Sequence, residues 1–123
     1  MKIITTNNAP SAIGPYSQAI VSGGLVYTSG QIAINPASGK IDATTIEEQT
    51  HQVCKNLQAV LQASGSSLDN VVKTVCFLAN MDDFATFNGI YAQYFLGKPA
   101  RSCVAVKTLP KNVLIEIDTI AEV

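Results

Sequence analysis

The most regular pattern of apolar and polar residues in this 123-residue chain lies between positions 44 and 65, where apolar side chains recur every three or four residues. This period is that of an α-helix with one buried face. Thr44 and Glu47 have the spacing of a capping box, and Gly65 follows the last apolar position as a stop signal. The pattern predicts a helix whose apolar face carries Ile46, Val53, Leu57, Val60 and Leu61.

A second helix is predicted to begin after residue 82, where aromatic and apolar side chains again follow a helical period. Asp82 or Asp83 can cap its N-terminal end, and Gly97 is expected to terminate it. The apolar positions of this helix are Phe84, Phe87, Ile90, Tyr91, Tyr94 and Phe95.

Six shorter stretches are rich in β-branched and apolar residues, which is typical of β-strands. They cover residues 3–5, 19–22, 25–32, 71–78, 101–106 and 113–123. The turn signal Gly23-Gly24 joins the second and third stretches as a hairpin. The nearly continuous apolar run at 71–78 favours a central strand that is covered on both faces.

The element order βββαβαββ predicts a single α+β domain over residues 1–123, with two helices on one face of a mixed six-stranded sheet. Such a two-layer domain leaves the other sheet face open, so the apolar residues of the strands require a cover there. The composition agrees, because 47% of the residues are hydrophobic and only 14% are charged, whereas about 25% charged residues is typical. We therefore expect part of the surface to face another subunit, as in a homo-oligomer.

Charge, apolar runs and the cysteine and histidine content together narrow the expected partners, location and cofactors of the protein. The net charge is −1 and no run of Lys or Arg occurs, so no nucleic acid is expected to bind. No apolar stretch has the length of a signal peptide or a membrane span. Three cysteines without a CxxC spacing indicate a reducing, cytoplasmic location. The single histidine makes a metal site improbable, and the sequence carries no motif for a cofactor.

Arg101 places a permanent charge in an apolar strand. Strand alternation puts Arg101 and Cys103 on one face of their strand, and Glu116 and Asp118 on one face of the last strand. We expect Arg101 and Glu116 to lie on neighbouring strands, and two interpretations stay open. The two residues form a structural ion pair or a salt bridge at a subunit interface, or Arg101 uses its planar guanidinium to bind the carboxylate of a ligand.

Four other residues carry weaker signals. Tyr16 either anchors the core or lies over a ligand, and Gly30 either forms a bulge or lets the backbone approach a ligand. Asn88 reads as a solvated helix residue. Cys103 reads as a small buried hydrophobic residue, because the only histidine, His51, falls on the polar side of the first helix and supplies no base.

Six blocks occur in one order between residues 12 and 117, so that they are distributed along nearly the whole chain: Ala12–Ala19, Thr28–Ile32, Val72–Leu78, Met81–Phe84, Pro99–Val104 and Leu109–Ile117. This combination resembles the Rid (YjgF-type) family of reactive-intermediate deaminases, in particular its archetypal RidA branch. The resemblance implies a chorismate-mutase-like fold, assembled as a homotrimer with active sites between subunits.

The activity implied by the resemblance is the hydrolysis of 2-aminoacrylate, 2-aminocrotonate and their 2-imino acid tautomers to pyruvate or 2-ketobutyrate and ammonia. Pyridoxal-phosphate-dependent serine and threonine dehydratases would supply these intermediates, and no cofactor is implied. A non-catalytic regulatory protein that binds 2-keto acids is the alternative, and RNA or chaperone roles have also been attributed to the family.

The resemblance also implies roles for residues of the matching blocks. Arg101 would bind the substrate carboxylate, and Glu116 would orient or activate the attacking water. Further pocket positions would be Tyr16, Ser29, Gly30, Gln31, Asn88 and Cys103. One departure concerns residues 94–100, a segment shorter than we expect for the family, which leaves the shape of one pocket edge open.

Overall fold

The computed structural model describes all 123 residues. The elements are β1 Lys2–Ile4, β2 Ala19–Ser22, β3 Leu25–Thr28, α1 Ile46–Ala63, β4 Val71–Leu78, α2 Phe84–Tyr94, β5 Ala100–Ala105 and β6 Ile115–Glu122. The predicted order βββαβαββ is therefore confirmed. Neither helix is both long and apolar enough to cross a membrane.

The six strands form one mixed sheet in the order β1-β2-β3-β6-β4-β5. All neighbouring strands are antiparallel except β4 and β5, which are parallel and are connected through α2. The last strand of the chain, β6, lies in the middle of the sheet and pairs with both β3 and β4. This confirms the α+β class with two helices packed on a mixed six-stranded sheet.

The hydrophobic core lies between the sheet and the helices. The apolar face of α1 is buried as the sequence predicts, and it packs against β6 and β3. Residues without any exposed surface in this layer include Val53, Leu57, Leu61, Leu78 and Ile117. Burying each such side chain contributes about 1.5–3 kcal/mol, so this layer supplies most of the driving force for folding.

The start of α1 differs from the prediction by one residue. The N-cap is Thr45 instead of Thr44; its hydroxyl accepts a hydrogen bond from the backbone N–H of Glu48, whose carboxylate accepts the N–H of Thr45 in return. Both Thr-x-x-Glu spacings exist in the sequence, and the observed one makes Ile46 the first helical residue and buries it. Gly65 ends the helix region with φ of +80°, as predicted.

The start of α2 also differs. Neither Asp82 nor Asp83 caps the helix through its side chain. Instead, the Asn80 side chain accepts a hydrogen bond from the backbone N–H of Asp82 and begins a 3-10 turn that leads into α2. The helix ends at Tyr94, three residues before Gly97.

The third strand is shorter than the predicted 25–32 because a bulge interrupts it. Tyr27 pairs with Ile120, whereas Gln31 pairs with Ile117. Three residues of one chain segment therefore face two of the other, which is the definition of a β-bulge. The extra residue lies within positions 28–30, so Ser29 and Gly30 leave the regular ladder.

The second face of the sheet carries no helix. A cross-strand row on this open face consists of Ile3, Ile20, Tyr27 and Ile120. Ile3 is 61% exposed, and Val104 of β5, which lies on the same face of the sheet, is 47% exposed. The prediction that β4 is covered on both faces is wrong within one chain, since both helices pack on the same side.

Candidate active site

Glu116 lies on the open face of β6, opposite the bulge that ends β3. A Cβ atom added to Gly30 would lie 2.9 Å from Cδ of Glu116 and still closer to its Oε2. Such distances are too short for a real side chain, so only glycine lets the carboxylate rest against this backbone. Gly30 therefore lies in a bulge and also lets the carboxylate of Glu116 lie against the backbone.

A cavity of about 400 Å³ opens beside this carboxylate, and we call it the glutamate cavity. Its lining includes Ile13, Tyr16, Ser29, Gly30, Gln31 and Glu116. Tyr16 is 49% exposed, so it is not a core anchor; its ring lines the cavity, and its hydroxyl accepts a hydrogen bond from the N–H of Ile13. Five of the residues expected at a pocket from the resemblance thus lie together.

The wall of the glutamate cavity is held by a residue that the sequence reasoning missed. Gln18 is buried; its amide nitrogen donates to the carbonyls of Thr6 and Pro10, and its oxygen accepts from the N–H of Thr6. The Ser29 hydroxyl donates to the carbonyl of Ser17 at 2.6 Å. These bonds fix the irregular N-terminal segment over the sheet. The available signal was a glutamine placed directly before an apolar strand.

The carboxylates on the open face of β6 hold protons more tightly than carboxylates in water. Burial raises the pKa of Glu116 above its ordinary value of 4.5, and the neighbouring charge of Asp118 raises it further. Burial likewise raises the pKa of Asp118. A carboxylate whose pKa is shifted towards neutrality is better suited to accept and return a proton near physiological pH.

Arg101 extends from β5 over the aromatic face of α2. Its Cζ lies 4.8 Å from the ring centroid of Tyr91, and that ring is fixed by a 2.8 Å hydrogen bond between its hydroxyl and Thr74. The Nη1 atom donates to Oδ1 of Asn88 at 2.6 Å. Asn88 is therefore not merely solvated. It orients a guanidinium whose other N–H donors are available to a ligand.

A second cavity, of about 500 Å³, adjoins this guanidinium, and we call it the arginine cavity. Its lining includes Asn88, Tyr91, Phe95, Leu96, Lys98 and Arg101. No acidic residue lines it, so the positive charge of Arg101 is not neutralised from within the chain. An apolar cavity with an oriented, unpaired guanidinium suits a small carboxylate ligand.

The expectation that Arg101 and Glu116 occupy neighbouring strands is wrong. Strand β4 separates them, and this alone places their backbones about 10 Å apart. Arg101 is in register with the buried Thr74 on the helix-covered face, whereas Glu116 is in register with Phe77 on the open face. The two side chains point away from each other, so a structural ion pair between them within one chain is ruled out.

Cys103 follows Arg101 on the helix-covered face and is half-buried. Burial raises the pKa of its thiol, which keeps it protonated and unreactive. No hydrogen bond joins His51 to this thiol; His51 Nδ1 is instead hydrogen-bonded to the Tyr94 hydroxyl at 2.6 Å between the two helices. His51 is partly buried and shares its side of α1 with the polar residues Glu48 and Gln52. No group of three or more His, Cys, Asp or Glu side chains is arranged to hold a metal ion.

Comparison with known proteins gives two relatives that span the chain. A protein of Lactococcus lactis named putative regulator AldR is 56% identical over 124 residues, which cover 100% of this chain and 98% of the relative. A Mus musculus protein named 2-iminobutanoate/2-iminopropanoate deaminase is 46% identical over 121 residues, which cover 98% of this chain and 90% of that protein.

The solved structures, like the sequence relatives, match the chain over nearly its whole length. The crystal structure of E. coli TdcF with bound serine is 41% identical and has a TM-score of 0.95, with 100% of this chain and 99% of that chain covered. A family model described as Endoribonuclease L-PSP matches residues 6–123. The resemblance seen in the sequence blocks is thereby confirmed. This chain belongs to the YjgF/RutC/Rid family, which includes reactive intermediate deaminases.

Proposed function

We propose that the protein hydrolyses 2-imino acids and their enamine tautomers to 2-keto acids and ammonia, as a 2-iminobutanoate/2-iminopropanoate deaminase. The observation that carries this proposal is Arg101, oriented by Asn88 and Tyr91 towards a cavity without any acidic residue. The name of the mouse relative and the serine bound to TdcF support a small amino-acid-like substrate. Pyridoxal-phosphate-dependent serine and threonine dehydratases are the proposed source of the substrate.

The proposal requires more than one chain at each site. The arginine and glutamate cavities belong to opposite faces of one sheet, so a small substrate cannot reach both residues in a single chain. We propose a homotrimer in which Arg101 of one chain faces Glu116 of the next. Covering the exposed apolar residues of the open face would supply the energy of assembly.

The chemistry follows from the two cavities. Arg101 holds the substrate carboxylate through its planar guanidinium and so fixes the C=N carbon. As the water oxygen forms a bond to the carbon of the protonated imine, the C=N π electrons move to nitrogen and Glu116 accepts one proton from the water, which gives the carbinolamine. Glu116 then returns this proton to the nitrogen. As the C–N bond breaks and ammonia leaves, Glu116 takes the hydroxyl proton, so that the carbonyl forms, and passes it to the departing ammonia. The free imine already hydrolyses in water, so holding the water and the carbon in place is the main contribution.

A coupled assay with a threonine dehydratase tests this proposal. The dehydratase releases the enamine, and the release of 2-ketobutyrate is followed with semicarbazide competing for the imine. We expect the protein to accelerate keto acid release, and Arg101→Ala to reduce this effect about 100-fold because two charge-assisted hydrogen bonds are lost. Arg101→Lys, which keeps the charge but not the planar donor pair, is expected to be intermediate. Full activity of a folded Arg101→Ala protein would refute the carboxylate-binding role.

A non-catalytic protein that binds 2-keto acids is the second candidate. It is favoured by the 56% identical relative that is named a putative regulator. Arg101 serves either function equally well, so binding alone does not separate them. Saturable binding of 2-ketobutyrate without any acceleration in the dehydratase assay would favour the regulator.

A further inference from the structure

We propose that Lys98 provides the arginine cavity with a second anion-binding position, so that the site prefers substrates with two carboxylates. The chemical class is a 2-imino or 2-keto dicarboxylic acid of four or five carbons. The preference in catalysis depends on the proposed deaminase function, whereas the preference in binding depends only on the arginine cavity.

The charges of the arginine cavity support this inference. Lys98 and Arg101 both line it, and no carboxylate does. Arg101 is directed by its hydrogen bond to Asn88 and its contact with Tyr91, which suits one carboxylate. A second cation is not needed to hold a monocarboxylate. The mixture of two positive charges with apolar side chains such as Phe95 and Leu96 instead matches a short dicarboxylate.

The backbone places Lys98 close to Arg101. Lys98 and Arg101 are three positions apart in the chain, so their Cα atoms are at most about 11 Å apart. Lys98 has φ of +52°, a left-handed conformation that residues with side chains rarely adopt, and its N–H donates to the carbonyl of Phe95. This turn fixes the backbone of Lys98 at the edge of the arginine cavity.

The experiment compares a monocarboxylate with a dicarboxylate in three variants. Lys98→Asn removes the charge with a residue that tolerates the left-handed conformation. Lys98→Arg keeps the charge, and Lys55→Gln removes an exposed cation from α1 as the matched control. Binding of 2-ketobutyrate and 2-ketoglutarate is measured by calorimetry at low ionic strength. Turnover is measured with imines generated in the assay from alanine and glutamate by amino-acid oxidases.

We expect the unaltered protein to bind 2-ketoglutarate more tightly than 2-ketobutyrate. Lys98→Asn should weaken 2-ketoglutarate binding about two- to fivefold, the range for a solvent-exposed ion pair, and leave 2-ketobutyrate unchanged. Lys98→Arg should retain the preference, and Lys55→Gln should change neither affinity. Equal affinities in the unaltered protein, or equal weakening of both ligands by Lys98→Asn, would overturn the inference.

The turnover measurements separate this inference from the proposed function. If neither imine is hydrolysed faster but the binding preference depends on Lys98, the deaminase proposal fails and the dicarboxylate site stands. If both imines are hydrolysed with the same dependence on Lys98, the deaminase proposal stands and the dicarboxylate site fails.

Discussion

At the scale of single residues, Gly30 decides where the carboxylate of Glu116 can lie. The bulge brings the backbone of Gly30 against this side chain, and no space remains for a methyl group. Arg101 depends on its neighbours in a similar way, because Asn88 and Tyr91 set the direction of its guanidinium. The roles proposed for both charged residues thus rest on uncharged ones.

Gly30→Ala is expected to move the Glu116 carboxylate, since the new Cβ would overlap Cδ and Oε2. Imine hydrolysis in the coupled assay should fall about 10- to 100-fold, as for a misplaced catalytic group. The midpoint of urea unfolding should change little, because the overlapping atoms belong to the end of a flexible side chain that can move aside. Gly89→Ala is the control, because nothing lies within 4 Å of its added Cβ. This variant should keep the imine hydrolysis of the unaltered protein. Unchanged activity of Gly30→Ala would show that the position of this carboxylate does not matter.

At the scale of elements, strand β6 carries Glu116 and Asp118 two residues apart and therefore on the same face. Both are about half-buried, and the like charge of Asp118 contributes to the raised pKa of Glu116. Strand alternation alone predicts that they share a face. It does not predict that the face is open, because that depends on where the helices pack.

The raised pKa values give stability a defined pH dependence. Below the ordinary pKa values of 4.5 and 3.8, Glu116 and Asp118 are protonated whether the chain is folded or not. As pH rises, the unfolded chain releases these protons first, so stability is lost as pH passes through the raised pKa values of the folded chain. Asp118→Asn should therefore raise the melting temperature relative to the unaltered protein at pH 7, with a smaller gain at pH 4. A gain that is larger at pH 4 would contradict the direction of the shift.

The elements and the buried face of α1 follow from local patterns in the sequence, whereas the strand order and the open face of the sheet do not. The periodicity of α1 and the alternation in β6 are repeated within a few residues, so they can be seen without the fold. The insertion of β4 between Arg101 and Glu116 depends on pairings between residues far apart in the chain. The resemblance to a known family named seven residues that line the two cavities, although single-residue patterns left most of them ambiguous. Cys103, which the resemblance also named, lines neither cavity.

At the scale of the whole molecule, the two cavities and the open sheet face are the basis of the proposed shared site. Each chain offers an arginine on one face of its sheet and a glutamate on the other. The exposed apolar residues of the open face, such as Ile3 and Val104, provide a surface for association. In the proposed homotrimer, every active site takes one of these residues from each of two neighbours.

A mixture of inactive variants tests this arrangement. Arg101→Ala and Glu116→Gln proteins are unfolded together in equal amounts, refolded and assayed. Roughly a quarter of the sites in a random mixture of closed trimers would combine an intact arginine with an intact glutamate. Imine hydrolysis should therefore recover to about that fraction, while each variant refolded alone stays inactive. No recovery in a mixture that assembles normally would mean that each site is built from one chain.

In the proposed homotrimer, the placement of Arg101 and Glu116 on opposite faces would also make imine hydrolysis depend on protein concentration. A dissociated chain keeps the arginine cavity, whose lining comes from α2, β5 and the segment between them. It would still capture a carboxylate, but without a partner it could not bring water to the bound carbon. Dilution would thus convert a deaminase into a simple keto acid receptor, and the two candidate functions would be two association states of the same polypeptide.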